Sequence, residues 1–241
     1  RVLVTGSSMF FTARLIQGLS AHGIDVTAAD HHWWSVGKSI PRTKWLCTPS
    51  LAHNPAGYLS ALVQELKSRP YDLLLPTFEE SLLLAEFREE VESLTSLLLP
   101  PFEMMWRLHD KTSLYDLCCE LEIPTPPTVP RLIPDNLESQ LSGLRFPLVL
   151  KLPTSNNSIG REYCSSMPEF IERFHLLHAR ESRRRAAPPF VQQKIPGETI
   201  STLMLCFEGR KLGEVIYRPL RCFPENGGTS SHRESIVHPK I

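Results

Sequence analysis

The sequence predicts a mixed protein, with an α/β domain built on a parallel sheet over residues 1–103 followed by an α+β domain over residues 104–241. Three observations predict it. Short apolar runs alternate with amphipathic segments at helical spacing through the first domain. A proline-rich stretch, Ile123-Pro-Thr-Pro-Pro-Thr-Val-Pro130, then interrupts the chain. Beyond it, two apolar runs flank Glu208-Gly209-Arg210, which is a hairpin signature.

Taken in order, residues 1–6 are a short apolar run ending in Gly6, followed by a helical pattern over residues 12–21 that stops at His22-Gly23. Residues 24–30 are a second strand. Strand, turn, helix and strand within about thirty residues form a right-handed crossover unit of Rossmann-like topology. A leucine-rich helix over residues 56–68, a buried strand over 71–76 and helices over 78–94 and 104–122 complete the series. The proline-rich stretch is extended and stiff and reads as a domain boundary. After it come a helix over 135–144, a strand over 146–151, a helix over 167–180, a strand over 190–197 that breaks at Pro196-Gly197, and the hairpin strands 200–207 and 212–218.

Apolar content of 41% and charged content of 22% are those of a globular protein, and 241 residues suffice for one large or two small domains. The formal net charge is zero, so no whole-chain field draws it to nucleic acid or an anionic membrane. No apolar stretch reaches the length of a membrane span. The basic run around Arg180–Arg185 reads as a solvated surface rather than a nucleic-acid contact. Cys47, Cys118, Cys119, Cys164, Cys206 and Cys222 form no Cys-x-x-Cys pair, so neither zinc nor a disulfide framework is expected. Buried free thiols in a reducing cytoplasm are expected, with Cys118 and Cys119 on the apolar face of their helix beside Leu114, Leu117 and Leu121. The chain starts at Arg1 without an initiator methionine, which suggests a trimmed start.

The most informative segment is 146–160, Phe-Pro-Leu-Val-Leu-Lys-Leu-Pro-Thr-Ser-Asn-Asn-Ser-Ile-Gly. A lysine on a rigid strand, followed by small hydroxyl, amide and glycine residues, suits a polyphosphate, because loop N–H groups can turn to anionic oxygens that the ammonium neutralises. The spacing is not that of a Walker A loop. A strand ending in a snorkelling lysine and a polar turn remains the other reading of Lys151. The first crossover unit, with Asp30 after its second strand, raises dinucleotide binding. Its turn, however, has one glycine and carries Met9, Phe10 and Phe11 where a pyrophosphate would approach, so a structural role is favoured. His31, His32, Trp33 and Trp34 follow Asp30 at the sheet's C-terminal edge and either pack a loop or line a substrate pocket.

Read in series, the glycine-turn domain, His109-Asp110-Lys111 opening a helix, Glu122-Ile-Pro-Thr-Pro126, the 146–160 segment, residues 190–197 and Arg218…Arg221-Cys-Phe-Pro-Glu-Asn-Gly-Gly228 resemble the ATP-grasp superfamily, in its carbamoyl-phosphate-synthase-like and carboxylate–amine ligase branch. The resemblance spans nearly the whole chain. It implies that residues 1–103 are a pre-ATP-grasp domain and residues 104–241 the N-terminal portion of an ATP-grasp domain. It further implies Lys111 and Lys151 at the nucleotide phosphates, and a closing loop from Ser155 through Ser158 to Gly160. Gln192, Gln193 and Ile195 would lie on a hinge strand whose backbone meets adenine, and Glu198 at the ribose. Arg221 and Arg218 would face the γ-phosphate or acyl phosphate as catalytic residues. On the residues alone, Lys111 also reads as an exposed first-turn residue, Glu198 as a solvated turn residue and Arg218 as a surface hairpin residue.

The implied activity is an ATP-dependent ligase that activates a carboxylate as an acyl phosphate for attack by an amine or another nucleophile, with charge neutralisation and alignment as the protein's task. ATP and magnesium are the implied cofactors, and a small-molecule carboxylate and amine the implied partners, with no nucleic acid or membrane; a homo-oligomer is compatible with this. Departures from the pattern are Asn156 and Asn157 in a glycine-poor loop and Gln193 where many relatives carry glutamate. No metal ligand is assigned, Glu225 and Asn226 included. The acidic ligands are expected beyond Ile241, so this stretch alone is expected to be incomplete and not to turn over. A non-catalytic nucleotide-binding or interaction module, and a nicotinamide-dependent oxidoreductase built on the first domain, are the competing readings.

Overall fold

A computed structural model describes residues 1–156, 158–223 and 228–238; Asn157, Glu225 and Asn226 lie outside the described residues. The chain divides into two compact units, Arg1–Trp106 and a second beginning at Arg107.

In the first unit, β1 (Val2–Val4), α1 (Phe10–Ala21), β2 (Val26–Asp30), β3 (Lys44–Cys47), α2 (Pro55–Ser68), β4 (Leu73–Leu75), α3 (Glu80–Glu86), α4 (Arg88–Glu92) and β5 (Ser96–Leu97) follow one another, and α5 (Phe102–His109) begins near its end. The sheet is wholly parallel, in the order β3-β2-β1-β4-β5. Its central strands are covered on both faces, which is why they read as continuous apolar runs. Alternation along β1 sends Leu3 into one layer with Leu59, Leu62 and Leu84, and Val2 and Val4 into the other with Ala13 and Ile16 of α1.

Three expectations change here. The strand β3 was not foreseen, because it is an edge strand with two of its four residues exposed and carries no apolar run. The helix expected over 78–94 is two short helices that meet at Phe87, whose φ of −99° and ψ of 30° leave the helical region. The helix expected over 104–122 breaks at Asp110, which is extended and caps the helix that begins at Lys111.

The second unit contains α6 (Lys111–Glu120), β6 (Thr128–Val129), α7 (Leu137–Gln140), β7 (Leu148–Lys151), β8 (Glu162–Cys164), α8 (Met167–Arg183), β9 (Phe190–Gln193), β10 (Ser201–Phe207), β11 (Arg210–Phe223) and β12 (Thr229–Ser235). One antiparallel sheet runs β6-β9-β7-β8 and another β10-β11-β12. The proline-rich stretch therefore does not divide the units; it lies inside the second, where β6 pairs with β9. The helix expected over 135–144 reduces to a 3-10 turn over Pro134–Asn136 and the single turn of α7. The hairpin is as expected: Glu208 and Gly209 both have positive φ, at 48° and 73°, the geometry of a tight two-residue connection.

Helix α8 packs the first sheet through Phe170, Phe174 and Leu177, spaced three and four residues apart on one face. They meet Leu148 and Leu150 of β7, Cys164 of β8 and Val191 of β9. Cys164 is the one cysteine that is buried as expected, and burial pushes its thiol up to about 11. Cys118 is half-buried and Cys119 exposed, because no residue of α6 is fully buried. No helix among the described residues is long and apolar enough to cross a membrane.

Candidate functional site

The face of the β6-β9-β7-β8 sheet turned away from α8 carries polar side chains. Register explains the set: Val149 is opposite Gln192 on one side and Tyr163 on the other, and Thr128 is opposite Gln192, so all share one face with Lys151 two residues along. Lys151 donates to Gln192 Oε1 at 2.5 Å, and Gln192 Nε2 donates to Thr128 Oγ1 at 3.0 Å. Burial holds the Lys151 ammonium below the usual lysine range, and the positive charges of Arg161 and Lys111 add to this.

Those two cations reach Lys151 through the loop that follows it. The Lys111 backbone N–H donates to Pro153 O at 3.0 Å, and its ammonium donates to Pro153 O at 3.1 Å and also to Ser155 O. Lys111 is thus positioned at the 152–161 loop by both its main chain and its side chain, not as an isolated first-turn residue. Asp110 sets this up, since it accepts from Thr112 N at 3.1 Å, Thr112 Oγ1 at 2.6 Å and Ser113 N at 2.8 Å. Burial would push its carboxyl up, but these hydrogen bonds outweigh burial and hold it below the usual aspartate range. Asp110→Ala is expected to cost about 1–2 kcal/mol, with Asp110→Asn milder. Because the folded pKa is depressed, the carboxylate's contribution is complete above the unfolded value of about 3.9 and is lost as pH falls through the folded one. Comparing the acid unfolding of wild type and Asp110→Asn by circular dichroism checks this.

Within the loop, Ser155 Oγ donates to Leu152 O at 3.3 Å, Ser158 has φ of 66°, and its hydroxyl accepts from Arg161 at 2.5 Å. Gly160 has φ of 67°, and a Cβ there would run into Leu152 Cδ1. Gly160→Ala combines left-handed strain with a clash against a side chain of the core. It is expected to cost about 1–3 kcal/mol and to raise hydrogen exchange in the loop. An unchanged melting temperature would refute this.

Three residues at this site were not assigned from the sequence. The Arg161 guanidinium lies 5.6 Å from the Tyr163 ring centroid, and the Lys194 ammonium 5.4 Å from it. An aromatic three residues after a glycine, with an arginine between them, is the signal that was available. Lys194, Tyr163 and Pro147 also line an open cleft of about 1180 Å³ with Glu198, Arg218 and Arg221. Lys111, Lys151, Ser155, Ser158 and Gly160 are not on its lining.

The expected hinge stretch already uses several of its polar groups. The Gln192 side chain serves Lys151. The Gln193 N–H donates to Pro127 O at 2.8 Å and the Lys194 N–H to Pro147 O at 3.0 Å, so those donors are engaged at the ends of the strands. Gln193 Oε1 accepts from Arg145 N. Among these residues Ile195 is half exposed, just past the end of β9, and makes no such backbone bond among the described residues. Arg218 forms a fork with Glu234 at 2.9 and 3.0 Å and lies 3.7 Å from Glu198, so it sits in a cross-strand ion-pair cluster that includes the carboxylate assigned to the ribose. The hydrogen bond from Arg218 to Glu234 raises the arginine's pKa further.

In the first unit, the glycine turn is closed by its own side chains. Glu80 Oε1 accepts from Thr5 Oγ1 at 2.6 Å and from Thr77 N at 3.0 Å, and a Cβ on Gly6 would meet Thr77 Oγ1 at 2.7 Å. Asp30 turns back onto the same turn, accepting from Ser8 N at 2.7 Å.

No protein-family model and no curated protein sequence matches this chain. Solved structures do. Biotin carboxylase from Campylobacter jejuni in a β-γ-ATP complex matches with a TM-score of 0.72 and 9% identity, over 92% of this chain and 51% of that one. L-amino acid ligase from Bacillus licheniformis matches at 0.68 and 17% identity, over 90% and 52%. N5-carboxyaminoimidazole ribonucleotide synthetase from Thermus thermophilus matches at 0.66 and 16%, over 90% and 54%. The chain has the ATP-grasp fold across most of its length. It spans about half the length of these three structures.

Proposed function

We propose that the second unit binds the phosphates of ATP, and that the protein acts in an ATP-dependent ligation that activates a small carboxylate as an acyl phosphate for an amine or related nucleophile. The observation that carries this reading is the convergence of Lys111, Lys151 and Arg161 on the 152–161 loop, where burial, and then the charges of Arg161 and Lys111, depress Lys151. Three like charges held together are unfavourable by themselves and favourable around a polyanion. The fold's neighbours include a biotin carboxylase in a β-γ-ATP complex and an L-amino acid ligase, which agrees with that chemistry.

In this reading Lys151 and Arg161 neutralise the phosphates, and Lys111 holds the loop that covers them. Lys194 and Tyr163 join the phosphate face to the cleft. Arg221 stays the candidate for the transferring phosphoryl group, while Arg218 orients Glu198. Magnesium would lower the charge of the transferring group; among the described residues the second unit groups no three metal-ligating side chains that could hold it.

A thermal-shift series with ATP, ADP, NAD and NADP tests the reading. ATP at 100 times its dissociation constant is expected to stabilise by about 2.7 kcal/mol. Stabilisation by NAD or NADP with none by ATP would overturn it in favour of an oxidoreductase.

A further inference from the structure

The strongest cluster of ligating side chains lies in the first unit, on residues outside the phosphate loop. Asp30 closes β2, and His31 and His32 follow it directly. The Asp30 carboxylate is buried and fixed: Oδ2 accepts from Ser8 N at 2.7 Å and Oδ1 from His32 N at 3.0 Å. An ionised carboxylate has about four acceptor sites, so both oxygens keep capacity. His31 Nδ1 lies 3.3 Å from Asp30 Oδ1. The two imidazoles are tilted by 40° with 3.7 Å between centroids, and the Trp34 ring is 4.8 Å from that of His32. One ligand atom from each of the three residues lies within 4.8 Å of the others.

From this geometry we propose a divalent transition-metal site made by Asp30, His31 and His32. Bonds of about 2.0–2.2 Å in tetrahedral array place ligand atoms about 3.4 Å apart. The Asp30–His31 pair is already at that spacing, and rotation of the half-buried His32 ring closes the rest. Two imidazoles and one carboxylate select a borderline ion such as zinc over magnesium or calcium, which take oxygen ligands. Ser8 supplies the outer contact that orients the carboxylate. Three protein ligands leave a fourth position open, beside the exposed Trp33 and Trp34. Such a site is independent of the ATP reading.

The test is equilibrium dialysis of the whole chain against cobalt(II) and zinc, with visible spectroscopy of the cobalt form. Wild type is expected to retain one equivalent with the intense bands of a low-coordinate ion, and to retain no magnesium there. Loss of one outer contact alone weakens such sites 10–100-fold. The double variant His31→Asn/His32→Asn is therefore expected to bind more than about 100-fold more weakly, with its metal-free melting temperature unchanged, since neither ring is buried. His175→Asn/His178→Asn, which removes another closely spaced pair on α8, is expected to bind as wild type. No retained equivalent in wild type, or retention that survives loss of His31 and His32, would overturn the proposal.

Discussion

Replacing Lys151 by methionine is expected to weaken ATP binding by about 100-fold and, at the same time, to raise the melting temperature of the nucleotide-free protein. The two effects have one cause. The ammonium is half-buried, its side-chain partner among the described residues is the neutral amide of Gln192, and Arg161 and Lys111 act on it as like charges. Methionine keeps the stem's packing and removes the repulsion. Against a triphosphate the same charge makes charge-assisted contacts of about 1.5–3 kcal/mol, which corresponds to about tenfold to a hundredfold in affinity.

Proton linkage separates this from a packing effect. The folded pKa of Lys151 lies below the unfolded value of about 10.4, so between the two the unfolded chain binds more protons and stability rises with pH. Below the folded pKa the full penalty is present. The difference in stability between Lys151→Met and wild type should therefore shrink as pH climbs through that window. Denaturant melts across alkaline pH measure it, and a difference independent of pH would reject this account of Lys151.

Phe170→Ala is expected to cost the second unit about 3–5 kcal/mol and to lower its melting temperature by roughly 10–20 °C. Phe170 is fully buried, stacks with Phe174 at 6.1 Å between centroids, and packs with the β7 leucines behind the strand that carries Lys151. The loss combines transfer of a large side chain with the cavity it leaves. Phe170→Leu should retain most of the stability. A loss under about 1 kcal/mol for alanine would mean that α8 repacks freely, contrary to the close packing of such cores.

What the sequence disclosed tracks burial. The strands β1, β2, β4 and β7, whose residues are buried or half-buried, are apolar runs and are legible as such. Edge elements are not: β3 has exposed ends, β5 is two residues long, and β8 and β12 are polar enough to pass for loop. That omission hid part of the site. Without β8 nothing places Tyr163 opposite Val149, so the face shared by Lys151, Gln192 and Tyr163 could not be assembled. Lys151 itself was legible because a cation ending an apolar strand is conspicuous. The engagement of the Gln193 and Lys194 N–H groups was not, since it depends on where the Pro127 and Pro147 carbonyls fall. The break at Asp110 was visible as an aspartate two and three residues before Thr112 and Ser113, the spacing of a helix cap, but the surrounding helical pattern masked it.

The amide at position 192 has a wider meaning. Its oxygen takes the lysine and its nitrogen takes Thr128, whose hydroxyl donates to Pro126 O at 2.6 Å, so the amide's orientation is dictated from both ends. A carboxylate in the same place would be an internal counter-ion, and Lys151 would arrive at any guest already neutralised. Choosing glutamine keeps the lysine oriented yet electrically hungry: Gln192→Glu, a change of one heavy atom, should bring the ammonium back toward an ordinary lysine and set the protein's own side chain in competition with whatever anion it is meant to receive.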